Sequence, residues 1–231
     1  MKIILFGNKK ISQKLLYILK KKIKITNIYT VNPSKSKKYQ IADYYRFKSK
    51  EFKNVKINFS KTYDLKHSKD LNFFIKNNFD IGIVLGWQRI IPIEILNTFN
   101  IGVFGGHGSS MKLPRGRGRS PLNWSILEKR KYFICNLIKY SSGIDNGSII
   151  DQKKFSINQY DTAKSLHYKN LLTLSELLLK NYNKIIKNKY NQVVQKEHLA
   201  TYYPKRNPDD SLINWNNNMD DIIQLIKSST L

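Results

Sequence analysis

Apolar and polar positions run along this chain in blocks whose period switches. The opening run MKIILFG (1–7) is short, apolar and closed by a glycine, the pattern of a strand buried on both faces. ISQKLLYILKKK (11–22) then places Leu15, Leu16, Ile18 and Leu19 at helical spacing, and IKITNIYTV (23–31) alternates as a second strand. Strand, helix, strand in that order predicts a parallel sheet. Beyond it, 69–79 reads as a helix, 80–87 as a buried strand, 92–99 as a helix opening on Pro92, and NIGVFGG (100–106) as another strand. A helix over 121–129 precedes two strands, 131–140 and 147–157, with the turn signal SSGIDNG (141–147) between them. A long helix over 161–188 starts on Asp161 as its cap, 201–215 is loop-like, and a last helix covers 219–229. No internal repeat is visible. The fold class is therefore α/β: a Rossmann-like, mostly parallel sheet flanked by helices. Ligands in such sheets bind outside the carboxyl ends of strands, which points to the loops after Gly86 and Gly106.

Composition narrows the setting. Hydrophobic residues make up 41% of the 231, enough for a sizeable core. Lys and Arg number 41 against 16 Asp and Glu, a formal net charge of +25 that would attract nucleic acid, nucleotides or an acidic surface. The lysines are scattered, however, and the chain is also rich in Ile, Asn and Tyr, which fits codon bias and solvated faces. The one cysteine, Cys135, lies in an apolar run and reads as a small core residue, so a reducing compartment fits. No signal peptide and no run of about 20 apolar residues is present, so a cytoplasmic location without membrane contact is expected.

Chemistry concentrates in GGHGSSMKLPRGRGRSPLNW (105–124). His107, just past a buried strand, is placed to take a proton from an amine attacking a carbonyl, and Gly105, Gly106 and Gly108 would let a ligand approach the backbone. Asp145, in the GIDNG turn, is the best partner to orient the imidazole. The plain alternative is a loop histidine and a turn aspartate. Arg115, Arg117 and Arg119, interleaved with glycines, fit either a phosphate clamp or a solvated loop. The first strand lacks G-x-G-x-x-G, no G-x-S-x-G elbow exists, and His67, His167 and His198 stand too far apart for a metal, so none is expected.

The order of these pieces, a histidine loop with L-P-x-x-R-G-x-x-P, a helix, a strand and G-x-D-x-G, resembles the folate-dependent formyltransferases. That family includes methionyl-tRNA formyltransferase, glycinamide ribonucleotide formyltransferase and the sugar N-formyltransferases. The matching pieces are LPRGRGRSPLNWSI (113–126), GIDNGSII (143–150), GWQRIIPIEIL (86–96) and YYPKRNPDDSLINW (202–215). The resemblance implies formyl transfer from 10-formyltetrahydrofolate to a primary amine, with His107 and Asp145 catalytic. It implies a pterin pocket lined by Gly86, Trp87, Gln88, Arg89, Ile90 and Ile91, together with Gly143 and Ile144. It also implies a catalytic domain over 1–200 and a linker segment with a helix over 201–231. One departure stands out. The family pattern N-x-H-x-S-L-L-P has asparagine where this chain has Gly105, and two extra residues separate His107 from Pro114. That asparagine donates to the formyl oxygen; Ser109, Ser110, Asn123 or a backbone N–H of the inserted loop is the expected replacement. The chain ends sixteen residues past Trp215, short of the barrel domain of the tRNA enzymes, which favours a nucleotide-linked amino sugar as acceptor. Arg115, Arg117, Lys169, Tyr203, Lys205 and Arg206 are the expected acceptor contacts. Charged tRNA is the second acceptor class, a non-catalytic basic binding protein the third reading, and a homodimer is one possible assembly.

Overall fold

The protein is described by a computed structural model over residues 1–230. The first strand, β1 (Ile3–Phe6), is buried at every position, and its side chains divide between two cores. Ile3 and Leu5 join Leu15, Leu16 and Leu19 of α1 (Lys10–Leu19) on one face, while Ile4 and Phe6 join an aromatic cluster on the other. Burial on both faces is why the strand is apolar throughout rather than alternating. The chain continues through β2 (Asn27–Val31), a helical turn α2 (Pro33–Ser36), β3 (Lys56–Ser60), α3 (Ser68–Asn77), β4 (Ile81–Val84), a helical turn α4 (Ile93–Leu96) and β5 (Gly102–Ser109). It then makes β6 (Arg117–Gly118), α5 (Pro121–Leu127), β7 (Tyr132–Lys139), β8 (Ser148–Ser156), α6 (Ala163–Ile186), β9 (Tyr202–Tyr203) and α7 (Met219–Ser229).

Seven strands form one sheet in the order β3-β2-β1-β4-β5-β7-β8. The strands from β3 to β5 run parallel; β7 pairs antiparallel with β5, and β8 antiparallel with β7. The strand order reverses between β1 and β4, and the loop at Gly86 leaves β4 at that point. Here glycine is required: Gly86 has φ +77°, and a methyl group on it would lie 2.5 Å from Ser12 Oγ, which donates to the Leu85 carbonyl. The face opposite the aromatic cluster is covered by α1 and α6, whose Leu171, Leu174, Leu177 and Leu178 are buried against the sheet. Each such leucine contributes about 1.5–3 kcal/mol by leaving water.

Three stretches differ from the pattern reading. The strand expected to end at 106 runs on to Ser109, because β7 pairs with it from Phe104 to Ser109; His107 therefore sits inside a strand and not in a loop beyond it. The 201–215 stretch is not all loop, since Tyr202–Tyr203 pairs in parallel with Arg117–Gly118. The cap of α6 is Thr162, in a reciprocal pair with Ser165, while Asp161 accepts from Ser165 Oγ and Lys169 Nζ at 2.7 and 2.6 Å. The C-terminal helix α7 packs on α5, where Asn123 Nδ2 donates to the Ser228 carbonyl at 2.6 Å. No helix among the described residues is long and apolar enough to cross a membrane.

Candidate active site

Because side chains alternate along a strand, Val103, Gly105 and His107 share one face of β5, and Phe104, Gly106 and Gly108 the other. The second face is closed. A methyl group on Gly106 would lie 2.7 Å from Leu174 Cδ2, and one on Gly108 would lie 2.1 Å from Phe133 Cε1. These two glycines admit α6 and Phe133 to the sheet, and leave no room there for a ligand. On the first face, His107 is buried and both ring nitrogens are engaged. Nδ1 stands 3.2 Å from Asp145 Oδ2, and Nε2 stands 3.1 Å from the Gly116 carbonyl oxygen.

Asp145 occupies the turn between β7 and β8 with φ +50°, a left-handed conformation that aspartate tolerates. Its Oδ2 also accepts from the Gly118 N–H at 3.0 Å. Burial raises the carboxyl's pKa, but the His107 hydrogen bond and charge, the Gly118 N–H and the Arg117 charge outweigh it, and the net shift is downward. The pKa of His107 moves the other way. Burial works against its charged form, yet the Asp145 carboxylate and the Gly116 carbonyl more than compensate and raise it. In this arrangement both ring nitrogens face oxygen acceptors, and the Asp145 carboxylate stabilises the ring when it is protonated.

The arginine-glycine run is no clamp of flexible cations. Arg117 is fully buried. Its Nε and Nη2 donate to Gln195 Oε1 at 3.1 and 3.0 Å, and its Nη1 donates to Glu197 Oε1 at 2.8 Å and to the Tyr202 hydroxyl at 3.0 Å. Gln195 in turn donates from Nε2 to the carbonyls of Asp145 at 2.9 Å and Gly147 at 2.7 Å. The guanidinium is thus a scaffold under the Asp145 turn rather than an acceptor contact. Gly116 is held by Thr201 Oγ1, which accepts its N–H at 2.9 Å, so the segment after α6 fixes the loop that covers His107.

Comparison with known proteins decides the lineage. Residues 1–180 match the formyl transferase family model. The chain belongs to the formyl transferase family. It is 34% identical over 167 residues to the bifunctional polymyxin resistance protein ArnA of Wigglesworthia glossinidia brevipalpis, covering 72% of this chain and 25% of that protein. It is 32% identical over 164 residues to the methionyl-tRNA formyltransferase of Thermodesulfovibrio yellowstonii, covering 70% of this chain and 52% of that enzyme. The chain therefore spans about half the length of the methionyl-tRNA formyltransferases it matches, and less of ArnA. Its fold is that of a 4-N formyltransferase from Francisella tularensis, with a TM-score of 0.73 at 17% identity over 99% of this chain and 88% of that one. A Helicobacter canadensis N-formyltransferase, solved with folinic acid and dTDP-3-aminofucose, matches with a TM-score of 0.68 at 22% identity, over 99% and 80% of the two chains.

In this chain the 86–91 loop leaves β4 with its side chains sorted. Trp87 and Ile91 point into the aromatic core, whereas Gln88, Arg89 and Ile90 are exposed. The Gln88 N–H donates to the Tyr63 hydroxyl at 3.2 Å and the Arg89 guanidinium lies over the Tyr63 ring; Trp87 Nε1 is buried without a partner. Gly143 N–H donates to Asn146 Oδ1, and Ile144 is exposed beside Asp145. The residues expected on the acceptor side are mostly committed elsewhere. Lys169 pairs with Asp161. The Tyr203 ring stacks on Trp124 and its hydroxyl donates to Glu128. Arg206 holds Ser228, Asp210 and Ser211. Only Arg115 and Lys205 are exposed with no side-chain hydrogen bond among the described residues. Among the proposed replacements for asparagine, Ser109 Oγ accepts from Met111 N–H, Asn123 is tied to α7, and Ser110 Oγ is buried without a partner.

Pattern reasoning missed two groups. Gln195 carries no motif and is found only through its contacts. Tyr140 directly precedes the SSGIDNG turn, and its ring fills the space beside Gly105: a methyl group there would lie 2.6 Å from Tyr140 Cε2 and 3.1 Å from its hydroxyl oxygen.

Proposed function

We propose that this chain transfers a formyl group from 10-formyltetrahydrofolate to the primary amine of a nucleotide-linked amino sugar. The observation that carries the reading is the His107–Asp145 pair, a buried base with its orienting carboxylate on a sheet face beside the β4 loop. The exposed residues Gln88, Arg89 and Ile90, polar and apolar together, fit a flat heterocycle that combines apolar faces with a polar edge. Bound there, the folate supplies the formyl carbon. The amine lone pair forms the new C–N bond, the C–N bond to the folate breaks, the amine loses one proton and the departing folate nitrogen gains one. His107 takes the amine's proton, and Asp145 stabilises the imidazolium that results.

For His107 to act as a base, its Nε2 must exchange the Gly116 carbonyl for the amine. One net hydrogen bond of about 1 kcal/mol holds that contact, a small barrier to opening. Opening also removes one of the groups that keep the proton on His107, so the ring gives that proton up more readily and its neutral form is available as the acceptor enters.

The sugar acceptor is supported by fold neighbours that include several sugar N-formyltransferases, each spanned by 99% of this chain. Methionyl-tRNA as acceptor is the second reading, favoured by higher identity to the tRNA enzymes and by the net charge of +25. Pure protein incubated with 10-formyltetrahydrofolate and a panel of dTDP- and UDP-amino sugars, beside methionine-charged and uncharged tRNA, separates the two. Tetrahydrofolate release with a sugar acceptor is expected. Robust formylation of charged tRNA with no sugar product would replace this reading with the second.

A further inference from the structure

The face of β5 that carries His107 carries a second polar group that no motif announces. Gly105 and His107 are two residues apart on one strand, so their Cα atoms lie about 7 Å apart and aim at the same side of the sheet. A side chain at 105 would start inside the Tyr140 ring, 2.6 Å from Cε2 and 2.7 Å from the Val84 carbonyl oxygen. The space beside the catalytic histidine is therefore filled from the neighbouring strand, by the residue that follows β7. The Tyr140 hydroxyl ends 3.1 Å from where that Cβ would be, and it makes no hydrogen bond among the described residues. Tyr140 is only partly buried, so its hydroxyl is open to solvent on this face and free to meet a ligand there.

We propose that the Tyr140 hydroxyl donates a hydrogen bond to the formyl oxygen, in the place where asparagine stands in the pattern this sequence departs from at Gly105. The proposal rests on the formyl-transfer reading of the site. When the amine attacks, the C=O π electrons move onto the formyl oxygen, and a donor aimed there lowers the barrier; they return when the C–N bond to the folate breaks. The group that donates must stay protonated. Burial first, and the nearby Asp145 charge second, raise the Tyr140 pKa, so the phenol holds its proton at any working pH. Ser109 Oγ accepts from Met111 and Asn123 donates to Ser228; Ser110 Oγ is unpartnered but fully buried, so Tyr140 is the candidate open on this face.

Tyr140→Phe removes one oxygen and nothing else, and that oxygen bonds to nothing in the protein, so the variant should fold with unchanged Tm. Two readouts test the role. The first is the carbonyl stretch of bound 10-formyl-5,8-dideazafolate carrying a 13C formyl group, a stable analogue that reports hydrogen bonding without turnover. The second is hydrolysis of 10-formyltetrahydrofolate to formate and tetrahydrofolate with no amine added, compared with His107→Ala. Expected are a lower carbonyl frequency on the wild type than on Tyr140→Phe, and hydrolysis slower by about 10²–10³-fold in that variant. A Tyr140→Phe protein with wild-type rate and wild-type frequency overturns the proposal while the His107-dependent rate keeps the reading of the site. A wild type that neither binds the analogue nor hydrolyses the folate faster than His107→Ala overturns both.

Discussion

Replacing Arg117 by methionine tests whether the arginine-glycine run is scaffold or phosphate ligand. Methionine keeps most of the buried aliphatic volume and removes the guanidinium. Two of its three partners recover in water, since Glu197 and Tyr202 are more than half exposed. Gln195 does not: its Oε1 is buried and loses both donors, which costs about 1–3 kcal/mol. The larger penalty of a stranded buried charge does not arise, because the charge left behind is the solvated Glu197. With a urea m-value of about 2–3 kcal/mol per M, the midpoint should fall by roughly 0.3–1.5 M at unchanged m. Arg117→Lys should fall as well, because one ammonium cannot span Gln195, Glu197 and Tyr202. Turnover should drop at constant folate affinity, since Gln195 also holds the backbone at Asp145 and Gly147. If Arg117→Met keeps the wild-type midpoint and instead raises KM for a nucleotide-linked acceptor, the guanidinium faces the ligand and the scaffold argument is wrong.

Two further predictions concern the same face and its back. The Asp145 carboxyl is lowered and the His107 imidazole raised, so their mutual stabilisation is lost as pH falls through the lowered carboxyl value, below about 3.9, and as pH rises through the raised imidazole value, above about 6.5. The stability difference between the wild type and Asp145→Asn, from urea titrations at several pH values, should peak between those limits; a difference that grows steadily above pH 7 would contradict the pairing. Gly108→Ala puts a methyl group into the Phe133 ring, which is 1% exposed and cannot swing out, so it should lose about 1–3 kcal/mol and roughly 2–12 °C in Tm. Calorimetry showing no loss would mean that β5 and Phe133 are not packed as described.

The central strands were readable because burial on both faces demands unbroken apolar runs, as in Ile3–Phe6 and Ile81–Val84. Edge strand β3 was not: Lys56 and Phe59 are exposed and Asn58 only half-buried, so its sequence KINFS carries no period that a loop lacks. The pairing of His107 with Asp145 was legible from residue type and from the glycine-bounded turn at Asp145. Its strand setting was not, since GGHGS has almost no side chain to signal a strand, and only pairing with β7 reveals one. Arg117 misleads for another reason. Its neighbours in sequence are glycines, but its partners, Gln195 and Glu197, lie 78 and 80 residues away, where no local pattern shows them. Tyr140 escapes notice in the same way: the gap it fills belongs to Gly105, on the neighbouring strand.

The most direct test of the account is amine-dependent release of tetrahydrofolate from 10-formyltetrahydrofolate by the wild type and by His107→Ala, with folate affinity measured on both proteins. Formyl transfer at the His107–Asp145 pair predicts release by the wild type, loss of release in His107→Ala, and equal folate binding. A His107→Ala protein that releases tetrahydrofolate at the wild-type rate would place the chemistry elsewhere in the molecule.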